Sequence, residues 1–429
     1  MIARSIIAVN GKEIMIKNPV RGMRDISVGE MLLREYVLKI INEVALAAGY
    51  FKIETPAIDH LENLTSKEGG ENEALIFKIL KRGESLKKAT ETGDSLTDSA
   101  LRYDLTVPLA RYYSANSANL PSPFKSLQIG SVWRADAPQK GRFRQFTQCD
   151  MDILGDGSIL AEIDIIVTVL TILSRVAEAA KVSGLTLRIN DRRILLAAAA
   201  YAGFDSTDHE SVLIALDKVD KIGLSGVQTE LQNRGLPTEP TAKFLALFED
   251  TAPSPSDFCA KLGEFVPDDI VIQNLQTIMS AVSAVSPAVK IIFDSSLVRG
   301  MGYYTGPIFE CSLDGLDSSV AGGGRYDKMI GKFSGGNEVP ACGFSIGFER
   351  IVTILTDAGF VPPKVSNAKA ILVGRKVSSA EYGAIVKRAE TLRQAGATVS
   401  VLPMAKNLGR QIELLEQSGF SEFEKIYGD

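Results

Sequence analysis

The chain has 429 residues, which is too long for one ordinary hydrophobic core and predicts two or three domains. Hydrophobic residues make up 45% and charged residues 23%, a balance that excludes a disordered chain. The formal net charge of −5 provides no bulk attraction to nucleic acid, so such a partner would need a local basic surface.

Several kinds of site are excluded by the scarcity of cysteine and histidine. The four cysteines contain no CxxC pair and the only histidines are His60 and His209, so we expect no metal site and no histidine-based catalysis. Reduced cytosolic thiols are the simplest interpretation. The sequence GxxxxGK[ST] does not occur, which excludes a P-loop.

Neither apolar segment of the chain has the properties of a membrane segment. The run in residues 1–10 is too short for a signal peptide. Leu160–Ala180 is long, but it carries Glu162, Asp164, Arg175 and Glu178. It therefore predicts a buried core helix and no association with a membrane.

The first strong element in chain order is a helix. Ser27 and Glu30 have the spacing of a capping box, and apolar residues recur at helical spacing from Leu33 until Gly49. A short strand then ends at Pro56, since proline removes a donor from a strand ladder.

Residues 75–155 are interpreted as short strands and loops, including IFKIL, ALRYDLTVPLARYY, FKSLQIGSVWRAD and FRQFTQCDMDILG. The last segment alternates, and its more polar face is either solvated, as on a surface sheet, or lines a polar site. That face carries Arg142, Arg144, Phe146, Gln148, Asp150 and Asp152.

A mainly helical insertion is predicted for residues 185–285. Strand patterns return at VKIIFDSSLVRG, YYTGPIFECSL and SSVAGGG, and PACGFSIGFERIVTIL predicts a strand that runs into a helix. After the linker FVPPKVSN, a βαβ pattern predicts a small α/β domain.

Three arginine-bearing segments are candidates for binding anions. A predicted hairpin brings Arg134 towards Lys140, Arg142 and Arg144, a set suited to phosphates unless it is simply a solvated surface.

The second segment is LVRGMGYYTG, in which Arg299 stands among glycines and two tyrosines. Adjacent tyrosines on a strand point to opposite faces unless the backbone bends, and a bulged strand with packed tyrosines is the alternative. The third segment places Arg350 at the start of a helix, where a cation is unfavourable unless an anion binds there.

Taken in order, these segments resemble the motifs of class II aminoacyl-tRNA synthetases. The helix and the strand at Pro56 resemble motif 1, the dimer element; the Arg134 hairpin resembles motif 2; and GFSIGFERI, with Arg350, resembles motif 3. LVRGMGYYTG resembles the histidine-specific signature of the histidyl-tRNA synthetases, and ALRYDLTVPLARYY with APQKGRFRQFTQCDMDILG resembles their substrate-binding strands. The resemblance runs from about Arg21 to the end of the chain.

This resemblance implies an α+β fold. Residues 1–360 would form a class II catalytic domain on an antiparallel sheet, with the helical insertion at 185–285. Residues 361–429 would form an anticodon-binding-like α/β domain. The chain ends at Asp429, where the family's domain normally continues, so we expect a shortened domain with two strands.

The implied function is that of a histidine–tRNA ligase, which activates L-histidine with ATP and transfers it to tRNA(His). Magnesium would accompany ATP, and the enzyme would be a cytoplasmic homodimer. Arg134, Arg299 and Arg350 would be catalytic and, with Arg142, would bind ATP. The histidine-binding set would be Asp104, Leu105, Thr106, Gln148, Asp152, Tyr303 and Tyr304.

Within these sets, the resemblance implies individual roles. Arg134 would contact the α-phosphate and the substrate carboxylate, Arg299 would neutralise the α-phosphate during attack, and Arg350 would hold the γ-phosphate. The α-amino group would be bound by Asp104, Thr106 and Gln148. The imidazole nitrogens would be bound by Asp152 and Tyr304, with Tyr303 beside them.

One residue departs from the family pattern, and two other functions stay open. Gly302 stands where the family usually has an acidic or amide residue, so a contact that steadies Arg299 is expected to be missing. A synthetase-like regulatory subunit of ATP phosphoribosyltransferase in histidine biosynthesis is favoured by the short C-terminus and disfavoured by the intact arginine set. A non-catalytic RNA-binding or sensor domain is the other alternative.

Overall fold

The computed structural model describes residues 8–9, 12–13, 16–65, 71–137, 143–249, 254–299, 302–315, 319–363 and 368–428. The chain divides into two compact units. The larger unit consists of Met1–Met23 and Ile40–Ile354, and the smaller of Arg24–Lys39 and Leu355–Asp429.

The strands are, in chain order, β1 (Ala8–Val9), β2 (Lys12–Glu13), β3 (Phe51–Ile53), β4 (Ile58–His60), β5 (Lys78–Leu80), β6 (Thr97–Leu101), β7 (Phe124–Trp133), β8 (Gln145–Leu154), β9 (Thr186–Asp191), β10 (Lys290–Phe293), β11 (Pro307–Ser312), β12 (Ala321–Arg325), β13 (Ala341–Ile346), β14 (Ala368–Val373), β15 (Thr398–Pro403) and β16 (Glu422–Ile426).

The helices are α1 (Val28–Ala47), α2 (Leu61–Leu64), α3 (Gly83–Thr92), α4 (Thr106–Asn116), α5 (Leu160–Ala180), α6 (Arg192–Ala202), α7 (His209–Leu216), α8 (Val219–Asn233), α9 (Thr238–Ala246), α10 (Pro255–Ala260), α11 (Asp269–Val285), α12 (Phe348–Asp357), α13 (Ser379–Gln394) and α14 (Leu408–Gln417).

A large sheet organises the larger unit. In the described part of the chain its strand order is β10-β9-β11-β12-β13-β8-β7-β3. Every neighbouring pair from β9 to β7 is antiparallel, whereas the outer pairs β10–β9 and β3–β7 are parallel. The predicted α+β fold on an antiparallel sheet is therefore confirmed.

Helix α5 is the main element packed against the middle of this sheet. Ile165, Val169, Leu170 and Leu173 have no exposed surface, as expected for the predicted core helix. Among the described helices, none combines the length and apolar character needed to cross a membrane.

A buried ion pair joins α5 to β12. Arg325 donates from Nε to Glu162 Oε1 at 2.5 Å and from Nη2 to Glu162 Oε2 at 2.7 Å. Its guanidinium also donates to the carbonyl oxygens of Asp156 and Ser158, both at 3.1 Å. Because both charges are paired and hydrogen-bonded, burying them is tolerated.

Two predicted boundaries in the larger unit were wrong. The segment ALRYDLTVPLARYY is not all strand, since Thr106–Asn116 is helix α4. The Asp104 carboxylate accepts a hydrogen bond from the Val107 N–H at 3.1 Å, which satisfies one of the first amides of that helix. The helical insertion begins at Arg192 and not at residue 185, because Thr186–Asp191 is strand β9 of the large sheet.

The smaller unit has a third strand that the two-strand prediction missed. Its parallel sheet has the order β15-β14-β16, with Lys369–Val373 of β14 paired to Glu422–Ile426 of β16. Ile426 also packs against the core of this unit. The buried members of that core are Ile371, Val373, Val377, Ile385, Ala389 and Val399.

Replacing Arg325 by methionine should lower the free energy of unfolding by about 3–5 kcal/mol, because Glu162 would be left buried without its partner. Urea-induced unfolding followed by circular dichroism measures the change. Arg175→Met is the matched control. It removes a pair with Glu43 in which both side chains are more than 40% exposed, and should cost less than about 1 kcal/mol. Equal losses in the two variants would contradict the interpretation that the buried pair of Arg325 and Glu162 stabilises the fold.

Candidate functional site

One face of the large sheet carries two rows of polar and glycine residues. Directly paired residues lie on the same face, and so do residues two apart along a strand. The first row runs Glu310, Gly322, Ser345, Asp150 and Gln128 across β11, β12, β13, β8 and β7. The second runs Gly324, Gly343, Asp152 and Ser126 across β12, β13, β8 and β7. The polar face predicted for β8 thus lies in a buried polar environment.

Glycines in these rows leave room for larger side chains from elsewhere. A Cβ atom on Gly322 would overlap the Arg299 guanidinium, and one on Gly343 would overlap Asp152 Oδ1. The glycines of β12 therefore allow the Arg299 side chain to lie directly against the sheet.

Arg299 and Arg350 meet at one hydroxyl group. Arg299 Nη1 lies 3.3 Å from Ser319 Oγ, and Arg350 Nη1 lies 3.2 Å from the same oxygen. Arg299 also pairs with Glu310, and Arg350 donates to the Ser319 carbonyl oxygen. Burial acts to lower the pKa of Arg299, but the Glu310 carboxylate, together with Tyr304 and Tyr303, raises it above its usual value. Two guanidinium groups beside one hydroxyl form a surface suited to an anion.

Arg134 comes directly after β7, at the start of the loop of the predicted hairpin, whose two arms are confirmed by the pairing of Trp133 with Gln145. Its Nε donates to the Tyr103 carbonyl oxygen at 2.9 Å, and its guanidinium lies 5.2 Å from the Phe146 ring centroid. Burial raises the pKa of Asp104, while the Val107 amide and the Arg134 charge oppose that rise. The Arg134 charge is therefore near enough to favour the ionised form of the Asp104 carboxyl.

The residues next to Asp104 are fixed by helix α4. Leu105 is buried, and Thr106 is the first residue of the helix. Gln128 Nε2 donates to the Leu105 carbonyl oxygen at 3.1 Å, which joins this segment to the first polar row. Asp104 to Thr106 therefore form a constrained edge of the site.

The Gln148 side chain is held by its amide nitrogen. Nε2 donates to Ser345 Oγ at 3.2 Å and lies 3.4 Å from Asp150 Oδ1, and Ser345 Oγ in turn donates to Asp150 Oδ1 at 2.5 Å. Burial raises the pKa of Asp150 to about 7. With its nitrogen engaged, Gln148 presents its oxygen as an acceptor.

Asp152 lies among tyrosine rings. Tyr326 donates its hydroxyl to Asp152 Oδ1 at 2.6 Å, and burial raises the pKa of Asp152 well above its usual value. The Tyr303 and Tyr304 ring centroids are 4.4 Å apart, and their hydroxyls are 3.2 Å apart. Both tyrosines precede β11 in irregular backbone, so the strand of the bulged-strand alternative is not formed there, although the two tyrosines do pack against each other.

Buried polar atoms without a partner concentrate at this site. In the described residues they are Ser126 Oγ, Gln148 Oε1, Asp152 Oδ2 and Arg299 Nε. Three of the four belong to residues that the sequence singled out, and Ser126 is paired with Asp152 across β7 and β8. Buried polar groups are nearly always hydrogen-bonded in folded proteins, so these atoms indicate a ligand site.

The structure connects most of the predicted residues. Arg299 and Arg350 meet directly at Ser319, Gln148 and Asp152 share one face of β8, Tyr303 and Tyr304 are in contact, and Arg134 acts on Asp104. Arg142 lies outside the described residues.

Sequence reasoning missed Glu310, Ser319, Ser345 and the role of Tyr326. Glu310 carried a detectable signal, because a charged residue inside the otherwise buried strand PIFECS needs a partner.

Proteins similar to this chain cover nearly all of it. A family model described as Histidyl-tRNA synthetase matches residues 22–351. A histidine–tRNA ligase of Leifsonia xyli subsp. xyli is 41% identical over 424 residues, which covers 96% of this chain and 95% of the relative. A probable histidine–tRNA ligase of Tropheryma whipplei is 36% identical and covers 94% of each chain.

Two solved structures are similar to this fold. A histidyl-tRNA synthetase from Nostoc sp. PCC 7120 has a TM-score of 0.74 and 27% identity, and the match covers 95% of this chain and 90% of that one. A Bacillus halodurans protein described as an ATP phosphoribosyltransferase regulatory subunit/histidyl-tRNA synthetase has a TM-score of 0.73 and 18% identity, covering 97% of this chain and 100% of that one. The second likeness shows the fold alone.

Substituting asparagine for Asp150 should remove a pH-dependent loss of stability. Since burial raises the pKa of Asp150 to about 7, the folded protein keeps a proton that the unfolded chain releases near pH 4. Relative to Asp150→Asn, the unsubstituted protein should lose stability as pH rises from about 4 to 7, by at most about 1.4 kcal/mol per pH unit. Urea unfolding of both proteins across this range tests it, and a pH-independent difference would refute it.

Proposed function

We propose that this chain, which belongs to the histidyl-tRNA synthetase family, activates L-histidine with ATP at the site on its large sheet and then transfers the histidyl group to tRNA(His). The observation that carries the proposal is the set of unpartnered buried atoms, Gln148 Oε1, Asp152 Oδ2 and Arg299 Nε. They offer two acceptors and one cationic donor, which complement the polar groups of an amino acid and an anionic phosphate.

The adenylate-forming step suits an arginine-rich site. The histidine carboxylate attacks the α-phosphorus of ATP and pyrophosphate leaves, so a P–O bond forms and another breaks with no net proton transfer. Both reactants are anions, and therefore positioning and fixed positive charge dominate the catalysis. Arg134 and Arg299 would serve the α-phosphate, Arg350 the γ-phosphate, and Arg142 the nucleotide.

Histidine would be recognised by the acidic end of the site. Asp104, Thr106 and Gln148 would bind the α-amino group, with Leu105 supporting that edge. Asp152 Oδ2 would accept from an imidazole N–H while Tyr326 holds Oδ1. Tyr304 would bind the other imidazole nitrogen, with Tyr303 beside it. Buried polar groups of this kind discriminate against amino acids that leave them unpaired.

Magnesium, the assembly and the location belong to the same proposal. In the described residues no group of three His, Cys, Asp or Glu side chains could hold a metal, so magnesium would arrive on the phosphates of ATP. A homodimer formed through the motif 1 element and a cytoplasmic location follow from the family resemblance.

The proposal is tested by histidine-dependent exchange of labelled pyrophosphate into ATP, followed by charging of tRNA(His). Exchange and charging are both expected. Histidine binding without exchange would instead favour the regulatory subunit, and exchange without charging would restrict the protein to the first step.

Arg299→Ala should reduce the exchange kcat by about 10²–10³-fold, since the positive charge beside the reacting phosphate would be lost. Steady-state exchange kinetics measure the effect, and near-ultraviolet circular dichroism checks the fold. Arg175→Ala, on the exposed face of α5, is the control and should leave kcat unchanged. Unaltered kinetics in Arg299→Ala would remove this residue from the mechanism.

Asp152→Ala should weaken histidine far more than ATP. Losing a buried hydrogen-bond partner of the imidazole should raise the KM for histidine by about 10–10²-fold, whereas the KM for ATP should change by less than about threefold. Exchange assays with each substrate varied separately give both constants. Tyr326→Phe keeps the carboxylate and is the milder comparison. A parallel loss for both substrates would contradict the assignment of Asp152 to the imidazole.

A further inference from the structure

A second arginine lies directly behind Arg299. Arg188 of β9 is surrounded by carboxylates from three different elements: Glu310 of β11, Asp294 after β10 and Asp220 in the first turn of α8. Its Nη1 lies 2.8 Å from Asp220 Oδ2 and 3.3 Å from Glu310 Oε1, and its Nε donates to Asp294 Oδ2. Such a fork-shaped cation with several partners has little freedom to move.

Glu310 connects the two arginines. Its Oε1 accepts from Arg188 and its Oε2 accepts from Arg299, so each carboxylate oxygen is taken by a different guanidinium. Glu310 and Arg188 are directly paired on β11 and β9, which sets this geometry through the backbone ladder. The Glu310 side chain is only 14% exposed, so solvent screens these charges weakly.

We propose that Arg188 is a positioning residue for Arg299 and acts through Glu310. This inference rests on the proposed function, in which Arg299 stabilises charge on the α-phosphate. Arg188 fixes the plane of the Glu310 carboxylate and neutralises part of its charge. Arg299 therefore keeps a fixed orientation and more of its positive charge for the phosphate.

A positioning role for Arg188 predicts a different kinetic effect from a purely structural role. Arg188 contacts neither the histidine-binding residues nor Ser319, so loss of its side chain should leave substrate binding nearly intact. A misplaced Arg299 lowers transition-state stabilisation, which appears in kcat. Misplacement of a catalytic group by about 1 Å is enough to cost about 10²-fold.

The test uses Arg188→Met, Arg188→Lys and the control Arg234→Met in the full chain. Arg234 is 24% exposed against 19% for Arg188, and it pairs with Glu230 of α8 without any link to Glu310. In histidine-dependent exchange, Arg188→Met should lower kcat by about 10–10²-fold with both KM values within about threefold. Arg188→Lys keeps the charge and should lose less, and Arg234→Met should keep the unsubstituted kcat.

A double variant separates this role from general destabilisation. If Arg188 acts only through Arg299, adding Arg188→Met to Arg299→Ala should reduce exchange no further. Multiplied losses in the double variant, or an unchanged kcat in Arg188→Met, would overturn the positioning role while leaving the proposed function intact. Absence of exchange in the unsubstituted chain would overturn both.

Discussion

Two buried carboxyl groups on one strand, Asp150 and Asp152, constrain the arrangement around them. Desolvation makes their charged forms costly, so each must find donors inside the protein. The register of β8 with β13 places Ser345 opposite Asp150 and glycine opposite Asp152. The glycine leaves the space into which Tyr326 reaches, and Asp152 keeps one oxygen for a partner. The same pairing therefore both stabilises the sheet and forms the acceptor end of the site.

The cationic part of the site is built differently, because its arginines come from segments between regular elements or from a helix start. Arg299 and Arg350 converge on Ser319, while Glu310 and Arg188 hold Arg299 from behind. Guanidinium groups stay charged at any pH the protein meets, which suits chemistry between anions. The scarcity of histidine in the chain is consistent with an adenylate-forming step that transfers no proton.

The glycine that departs from the family pattern has a structural explanation. Gly302 adopts a φ of +46°, in the left-handed region that glycine occupies most easily. A Cβ atom there would lie 3.2 Å from Glu210 Oε1, so the helical insertion already places a carboxylate beside this position. Glu210 itself pairs with Arg192, whereas the carboxylate that contacts Arg299 is Glu310.

Local patterns in the sequence determined the hairpin after Trp133, the core helix Leu160–Ala180 and the strand that leads into the helix of Arg350, because each depends on periodicity and turn residues within a short window. The family motifs also identified the arginines and the histidine-binding residues as candidates. Only the tertiary structure decided that Ser319 joins two arginines, that Tyr326 holds Asp152, that both tyrosines turn to one side, and that β16 completes the smaller sheet. Those contacts depend on strand register and backbone bends between residues far apart in the chain, which no local period encodes.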